Sequence, residues 1–122
     1  MITHIATIAV YVEDQTRAER FWTEQVGFEV KRKDRIGNNG YWLEVGPKGE
    51  RTNLVLYPKS MARSWNQYKS SIVLQCHDFD GTYEHLKRKG VPVREEPKRM
   101  QGGTYVHFRD PDGNEFLLKG DR

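Results

Sequence analysis

Four histidines, one cysteine and a scatter of carboxylates are the side chains that could move a proton, attack a carbonyl or hold a metal in this chain. Strand alternation sorts them, because successive side chains on a strand point to opposite faces. His107, between Val106 and Phe108, takes the face opposite to theirs. There it suits a hydrogen-bonded wall residue better than a ligand or general base. His4 lies three residues before Thr7 and points away from Thr7's face. His85 sits beside Leu86 on a helical stretch and is expected to face solvent, and His77 closes a strand next to Asp78. One histidine does not make a metal site. Cys76 shares a face with Ile72 and Leu74, which reads as a buried structural thiol rather than a nucleophile. Glu44, with Trp42, and Glu115, with Lys119, fall on polar strand faces, where carboxylates form rim ion pairs more often than they act as a general base. Arg109 and Lys119 could attract an anionic group. Tyr11, Trp42, Tyr57, Tyr105 and Trp65 could stack on a planar or apolar ligand.

The elements that must position these residues come in two copies. Thr7 to Val30 reads TIAVYVEDQTRAERFWTEQVGFEV, and Ser71 to Val93 reads SIVLQCHDFDGTYEHLKRKGVPV, about 64 residues later. Each copy is an alternating apolar strand, an aspartate (Asp14 or Asp78) that can cap a helix, about three helical turns, and a glycine stop (Gly27 or Gly90). A long-period repeat of this kind marks a supersecondary unit whose apolar face needs a partner. Periodicity extends the first copy with strands at Phe28 to Arg35, Tyr41 to Val45 and Asn53 to Tyr57, joined by turns at Gly37 to Gly40 and Pro47 to Glu50. The second continues with a short segment at Val91 to Arg94 and strands at Thr104 to Arg109 and Asn114 to Lys119. The fold class is α+β, a βαβββ module used twice, within one domain spanning 1–122. Module one covers about 2–58, a linker 59–69, and module two about 70–119. In the linker, Met61, Trp65 and Tyr68 have the spacing of a short amphipathic helix or a covering loop.

A helix packs on the more apolar face of its sheet. That assigns Ile8, Val10, Val12, Leu54, Leu56, Ile72, Leu74, Cys76, Phe116 and Leu118 to the core. The opposite face carries Thr7, Ala9, Tyr11, Asn53, Val55, Tyr57, Ser71, Val73, Gln75, Glu115, Leu117 and Lys119. This mixture of polar, aromatic and apolar groups suits a groove for a small organic molecule, placed between the two copies.

Composition bounds the alternatives. The 122 residues are 36% hydrophobic and 30% charged, the balance of a folding chain. No apolar run reaches the roughly 20 residues of a membrane span, and the alternating start leaves no room for a signal peptide, so neither a membrane nor an export route is expected. A lone cysteine cannot make an internal disulfide, which fits a cytoplasmic protein. The net charge of +3 and the runs Lys31 to Lys33 and Lys87 to Lys89 come without a recognition motif, so no nucleic-acid partner is expected.

The opening AVYVED, the helix end FWTEQVGFEV and the closing GGTYVHFRDPDGNEFLL resemble the vicinal oxygen chelate superfamily, which includes glyoxalase, bleomycin-resistance proteins, fosfomycin-resistance enzymes and extradiol dioxygenases. The resemblance spans Ile2 to Lys119. It implies paired modules forming an incomplete barrel around a cleft, commonly completed as a dimer, and a homodimer is expected here. In metal-dependent members, ligands occupy positions that fall on Thr7, Val55, Ser71 and Leu117. None offers an imidazole, carboxylate or thiolate, so the resemblance points to a chain without a metal or other cofactor at the usual site. The expected function is a binding protein of the bleomycin-resistance type, contacting its ligand through Thr7, Tyr11, Trp42, Val55, Tyr57, Trp65, Ser71, Tyr105, His107 and Leu117. The alternative is a glyoxalase-like or dioxygenase-like enzyme using Glu44, His107 or Glu115 on a small organic substrate.

Overall fold

The computed structural model describes residues 1, 5–38, 40–61, 72–100 and 103–120. They divide into two compact units, Met1–Lys69 and Ser70–Arg122, each with its own four-stranded sheet.

Module one runs β1 (Thr7–Val12), α1 (Gln15–Arg20), a π-helical continuation (Phe21–Val26), β2 (Glu29–Ile36), β3 (Gly40–Gly46) and β4 (Asn53–Pro58). The sheet order is β1-β4-β3-β2, with β1 parallel to β4 and the other pairs antiparallel. Asp14 caps α1 by accepting from the Arg17 amide at 3.1 Å. The helix widens after Arg20, and the Trp22 carbonyl then accepts from both Gly27 and Phe28, at 3.1 and 2.8 Å. Gly27 ends it at φ +100°, the left-handed region where a side chain would be strained. The widening seats Trp22 in the core, stacked on Phe28 at 5.2 Å and edge-on to Phe21 at 5.2 Å. Val10, Val12, Leu43, Val45, Leu54 and Leu56 are buried with Ala18, Phe21 and Trp22.

Gln15 fastens α1 to its sheet. Its amide nitrogen donates to the Leu56 carbonyl at 2.6 Å and the Tyr41 carbonyl at 2.8 Å, while its oxygen accepts from the Tyr41 amide at 2.9 Å.

Module two repeats the plan with β5 (Val73–Cys76), α2 (Phe79–Arg88), β6 (Val93–Met100), β7 (Gly103–Arg109) and β8 (Glu115–Gly120), in the order β5-β8-β7-β6. Asp78 caps α2 through the Gly81 amide at 3.1 Å. Phe79, Leu86, Val91, Val106, Phe108, Phe116 and Leu118 are buried. Gly120 has no side chain because Phe79 lies where one would be, 2.5 Å from an added Cβ. The β7–β8 turn is held by Asp110, whose carboxylate accepts from the Asp112 amide, the Asn114 amide and the Asn114 side chain at 3.0, 2.8 and 2.9 Å. Burial pushes the Asp110 carboxyl above its usual range, opposed by the bonds from Asn114.

Two sequence expectations change. The segment expected at Val91 to Arg94 is an eight-residue strand, Val93–Met100. Its alternation is hidden by a bulge between Arg94 and Lys98 that holds Glu95 at φ +62° and takes up Pro97. Ile8, Leu74 and Cys76 are half-buried rather than core. Tyr83 is half-buried, stacked on Phe79 at 6.0 Å, and Val26 is half-buried at the helix end. Met61 closes a 3₁₀ turn, Lys59–Met61; Trp65 and Tyr68 lie outside the described residues. No helix among the described residues is long and apolar enough to cross a membrane.

Candidate functional site

Strand register builds the face of module one that points away from α1. On β1 and β4, Thr7 pairs with Asn53, Ala9 with Val55 and Tyr11 with Tyr57. On the other flank of β4, Glu44 pairs with Val55. The alternation brings Trp42 to Tyr57, ring centroids 6.3 Å apart at 77°, and Tyr57 meets Tyr11 at 6.2 Å and 88°. Both contacts are edge-to-face, the arrangement favoured by ring quadrupoles. Trp42 Nε1 donates to Glu44 Oε2 at 2.6 Å, and Asn53 Nδ2 donates to Oε1 at 3.3 Å. Each carboxylate oxygen therefore has a donor, and the indole plane is fixed by the same bond. Arg32 pairs with Glu44 in register and bonds Asp34 through its guanidinium. The hydrogen bond to Asp34, then Asp34's charge, raise the Arg32 pKa above its ordinary value, with Glu44's charge adding to them. A side chain at Gly46 would collide with the Asn53 Oδ1, so glycine there leaves room for the amide.

Module two places different groups in the corresponding register. Val73 pairs with Leu117, Leu117 with His107, and His107 with Arg94; one step along, Gln75 pairs with Lys119 and Lys119 with Tyr105. Glu115 accepts from Arg94 Nη1 on both oxygens at 3.2 Å and from Arg109 Nε at 3.3 Å. Tyr105, His107 and Lys119 are half-buried, and their side chains make no hydrogen bond or ion pair among the described residues.

The model of the glyoxalase/bleomycin resistance protein/dioxygenase superfamily matches residues 2–118. The chain belongs to that superfamily. The uncharacterized protein YetH of Bacillus subtilis (strain 168) is 53% identical over 119 residues, covering 98% of this chain and 99% of YetH. Among solved structures, TnmS3, an antibiotic binding protein from Streptomyces sp. CB03234, is 35% identical with a TM-score of 0.83, covering 99% of this chain and 98% of that one. A superfamily member from Sphaerobacter thermophilus DSM 20745 is 29% identical with a TM-score of 0.87, covering 98% of each chain.

The donors present do not fit the metal that many glyoxalase-superfamily members are expected to hold. Of the four corresponding positions, Val55 and Leu117 offer hydrocarbon and Thr7 a hydroxyl; Ser71 lies outside the described residues. Among the described residues, no group of three or more His, Cys, Asp or Glu could hold a metal ion.

The expected contact residues separate into two groups. Tyr11, Trp42 and Tyr57 form one array with Glu44, and Thr7 lies at its end beside Asn53. Tyr105, His107 and Leu117 share the module-two face, and Trp65 lies outside the described residues. Val55 sits at the centre of its face but is only 3% exposed, so it is a floor residue. Glu44 and Glu115 are held as acceptors by neighbouring donors, and Glu115 pairs with two arginines rather than with Lys119. Cys76 is half-buried and not fully enclosed; His77 is exposed, His85 is half-buried rather than solvent-facing, and His4 lies outside the described residues. Asn53, Arg32 and Arg94 were not singled out by sequence. Asn53 was visible in the alternation with Val55 and Tyr57. The register shift between Val30 and Arg32, and that between Arg94 and Lys98, hid the two arginines.

Proposed function

We propose that this chain is a metal-independent binding protein for a small organic molecule with a planar ring system, and that the module-one face away from α1 is a principal contact surface. The observation that carries this is the edge-to-face series Tyr11, Tyr57 and Trp42, with the indole locked by Glu44. Rings already fixed lose little freedom when a ligand stacks on them, so more of the contact energy appears as affinity. The 35% identity to an antibiotic binding protein supports the same reading. To act as a general base, Glu44 or Glu115 would have to share with substrate a carboxylate that already accepts from neighbouring side chains.

We infer a cytoplasmic homodimer as the working form. Val73 is 50% exposed, and the edge strands β1, β2, β5 and β6 each have one strand neighbour within their sheet. Light scattering should show two chains per particle at micromolar concentration, and a monomer would overturn the dimer.

The binding reading is tested by titrating the protein calorimetrically with a neutral planar probe, 1-naphthalenemethanol. Trp42→Ala or Tyr57→Ala should weaken binding about three- to tenfold, the value of a lost ring contact. Absence of binding, or variants that bind as well as the parent, would overturn it. Protein purified without chelator should carry no stoichiometric zinc, nickel, manganese or iron; one ion per chain would overturn the metal-independent part.

A further inference from the structure

We propose that the outer edge of β2 docks an acidic, extended segment of a partner protein, which adds to the module-one sheet as a further strand. This goes beyond the small-molecule reading and uses none of Tyr11, Trp42, Glu44 or Tyr57.

Backbone availability comes first. β2 ends the sheet order β1-β4-β3-β2, so within its sheet only β3 bonds it. A strand edge offers a row of amide and carbonyl groups to any chain that can lie along it. The other three edges are poorer templates. β5 has four residues, β1 has six that are all half-buried or buried, and β6 is interrupted by Pro97 and by Glu95 at φ +62°. β2 has eight residues with neither proline nor glycine, and its register with β3 is unbroken from Arg32 to Ile36.

Side chains select the partner. Lys31, Arg32, Lys33 and Arg35 outnumber Glu29 and Asp34 on the strand, and all but Lys31 of the four cations are exposed. Three of them have surface ion pairs: Lys31 with Glu29 at 3.4 Å, Arg32 with Asp34, and Lys33 with Glu19 of α1 at 2.9 Å. Such pairs are worth little in water and exchange readily for others. Arg35 has no ion pair among the described residues; it lies 6.0 Å, and Lys33 4.9 Å, from the centroid of the exposed Tyr41 ring. Lys33 and Arg35 pair in register with Leu43 and Tyr41, so both project from one face of the sheet. An added strand sets its own side chains about 5 Å from them.

The same charges reject a second copy of β2. In every register, parallel or antiparallel, that overlaps more than half of the strand, two cations fall opposite each other. Centring an antiparallel pair on Arg32, for instance, opposes Lys31 and Lys33. Like charges directly opposite destabilise a strand pair, whereas glutamate or aspartate on the incoming strand makes the contact attractive. The edge is closed to itself and open to an acidic strand.

The test uses end-capped octapeptides in which valine alternates with glutamate, lysine or serine, titrated calorimetrically into the full chain. We expect the glutamate peptide to bind tightest and to weaken as salt rises. Lys33→Gln and Arg35→Gln should each lower its affinity about two- to fivefold. If Lys33→Gln unfolds the chain by releasing Glu19, Arg35→Gln makes the same comparison. Amide exchange followed by NMR should slow at the β2 amides that do not bond β3. The glutamate peptide with every amide N-methylated keeps its charge but cannot pair, and should not bind. Equal or tighter binding of the lysine or serine peptide overturns the proposal, as does an N-methylated peptide that binds as well as its parent. So does protection of those β2 amides in the peptide-free protein, which would assign the edge to contact between copies. Absence of peptide binding also overturns it and leaves the small-molecule reading intact.

Discussion

Where module one carries Glu44 opposite Val55, module two carries His107 opposite Leu117. The substitutions continue along the register. Tyr11 beside Tyr57 becomes Gln75 beside Lys119, while Trp42 is replaced by Tyr105. One strand order and one pattern of pairing thus carry an aromatic face with an anchored carboxylate in one copy and a cationic face in the other. The core faces diverge far less, since both need hydrocarbon against a helix. Repetition fixes which positions share a face; the two copies remain free to fill those positions with different chemistry.

The comparison breaks most sharply at the helix anchors. Trp22 is fully buried between Phe21 and Phe28, whereas α2 presents the smaller Leu86. Trp22→Ala should cost about 3–5 kcal/mol in urea unfolding, and Leu86→Ala less than that, near the lower end of the about 2–5 kcal/mol typical of such truncations. Equal or reversed costs would show that the π-helical widening does not concentrate stability in module one.

Glycine positions sharpen it next. Gly120→Ala drives a methyl into Phe79 Cβ, which α2 fixes in place, and should cost about 1–3 kcal/mol. Gly46→Ala meets the end of the Asn53 side chain, which can swing aside. Its effect should fall on the Glu44 anchor and weaken the neutral aromatic probe, with less than about 1 kcal/mol lost from folding. A Gly46→Ala protein with unchanged probe affinity would remove Asn53 from the site.

The smallest effects concern the turns. Asp110 satisfies three donors in the module-two turn, whereas the module-one turn between β3 and β4 includes one long backbone bond, Glu50 to Pro47 at 3.3 Å. Asp110→Ala should destabilise by about 1–3 kcal/mol through orphaned donors, and Lys48→Ala by nothing measurable. Asp110 also sets a pH slope. Its folded pKa is raised, so the folded chain holds that proton more tightly than the unfolded one. Its contribution to stability is therefore largest below the ordinary carboxylate pKa of about 4, falls as pH rises through the raised value, and is level above. Asp110→Ala should abolish this segment of the pH–stability curve; an unchanged curve would assign the slope to other carboxylates.

Much of this was readable before any coordinates. The repeat gave both helix starts at Asp14 and Asp78, and alternation sorted Val10, Val12, Leu54 and Leu56 from Tyr11 and Tyr57, because burial on one face leaves a period of two. Alternation failed where the backbone itself loses count. A bulge adds a residue without adding a side-chain position, which is why β6 looked short and Arg32 and Arg94 went unnoticed. Partners were also invisible: the sequence shows Trp42 and Glu44 two apart, but not that the indole nitrogen is bound to the carboxylate, nor that Glu115 would choose arginines over Lys119.

The three hydrogen bonds of Gln15 have a kinetic consequence. The Tyr41 amide lies at the start of a strand, where fraying ordinarily exposes it to solvent exchange, yet its proton is held by a side chain from α1. That proton can exchange only when the first turn of the helix lifts or the glutamine lets go, so its protection factor reports helix docking rather than strand pairing. Exchange at this one amide, followed by NMR and compared with Gln15→Ala, would count how often α1 leaves β3 and β4 in the native state.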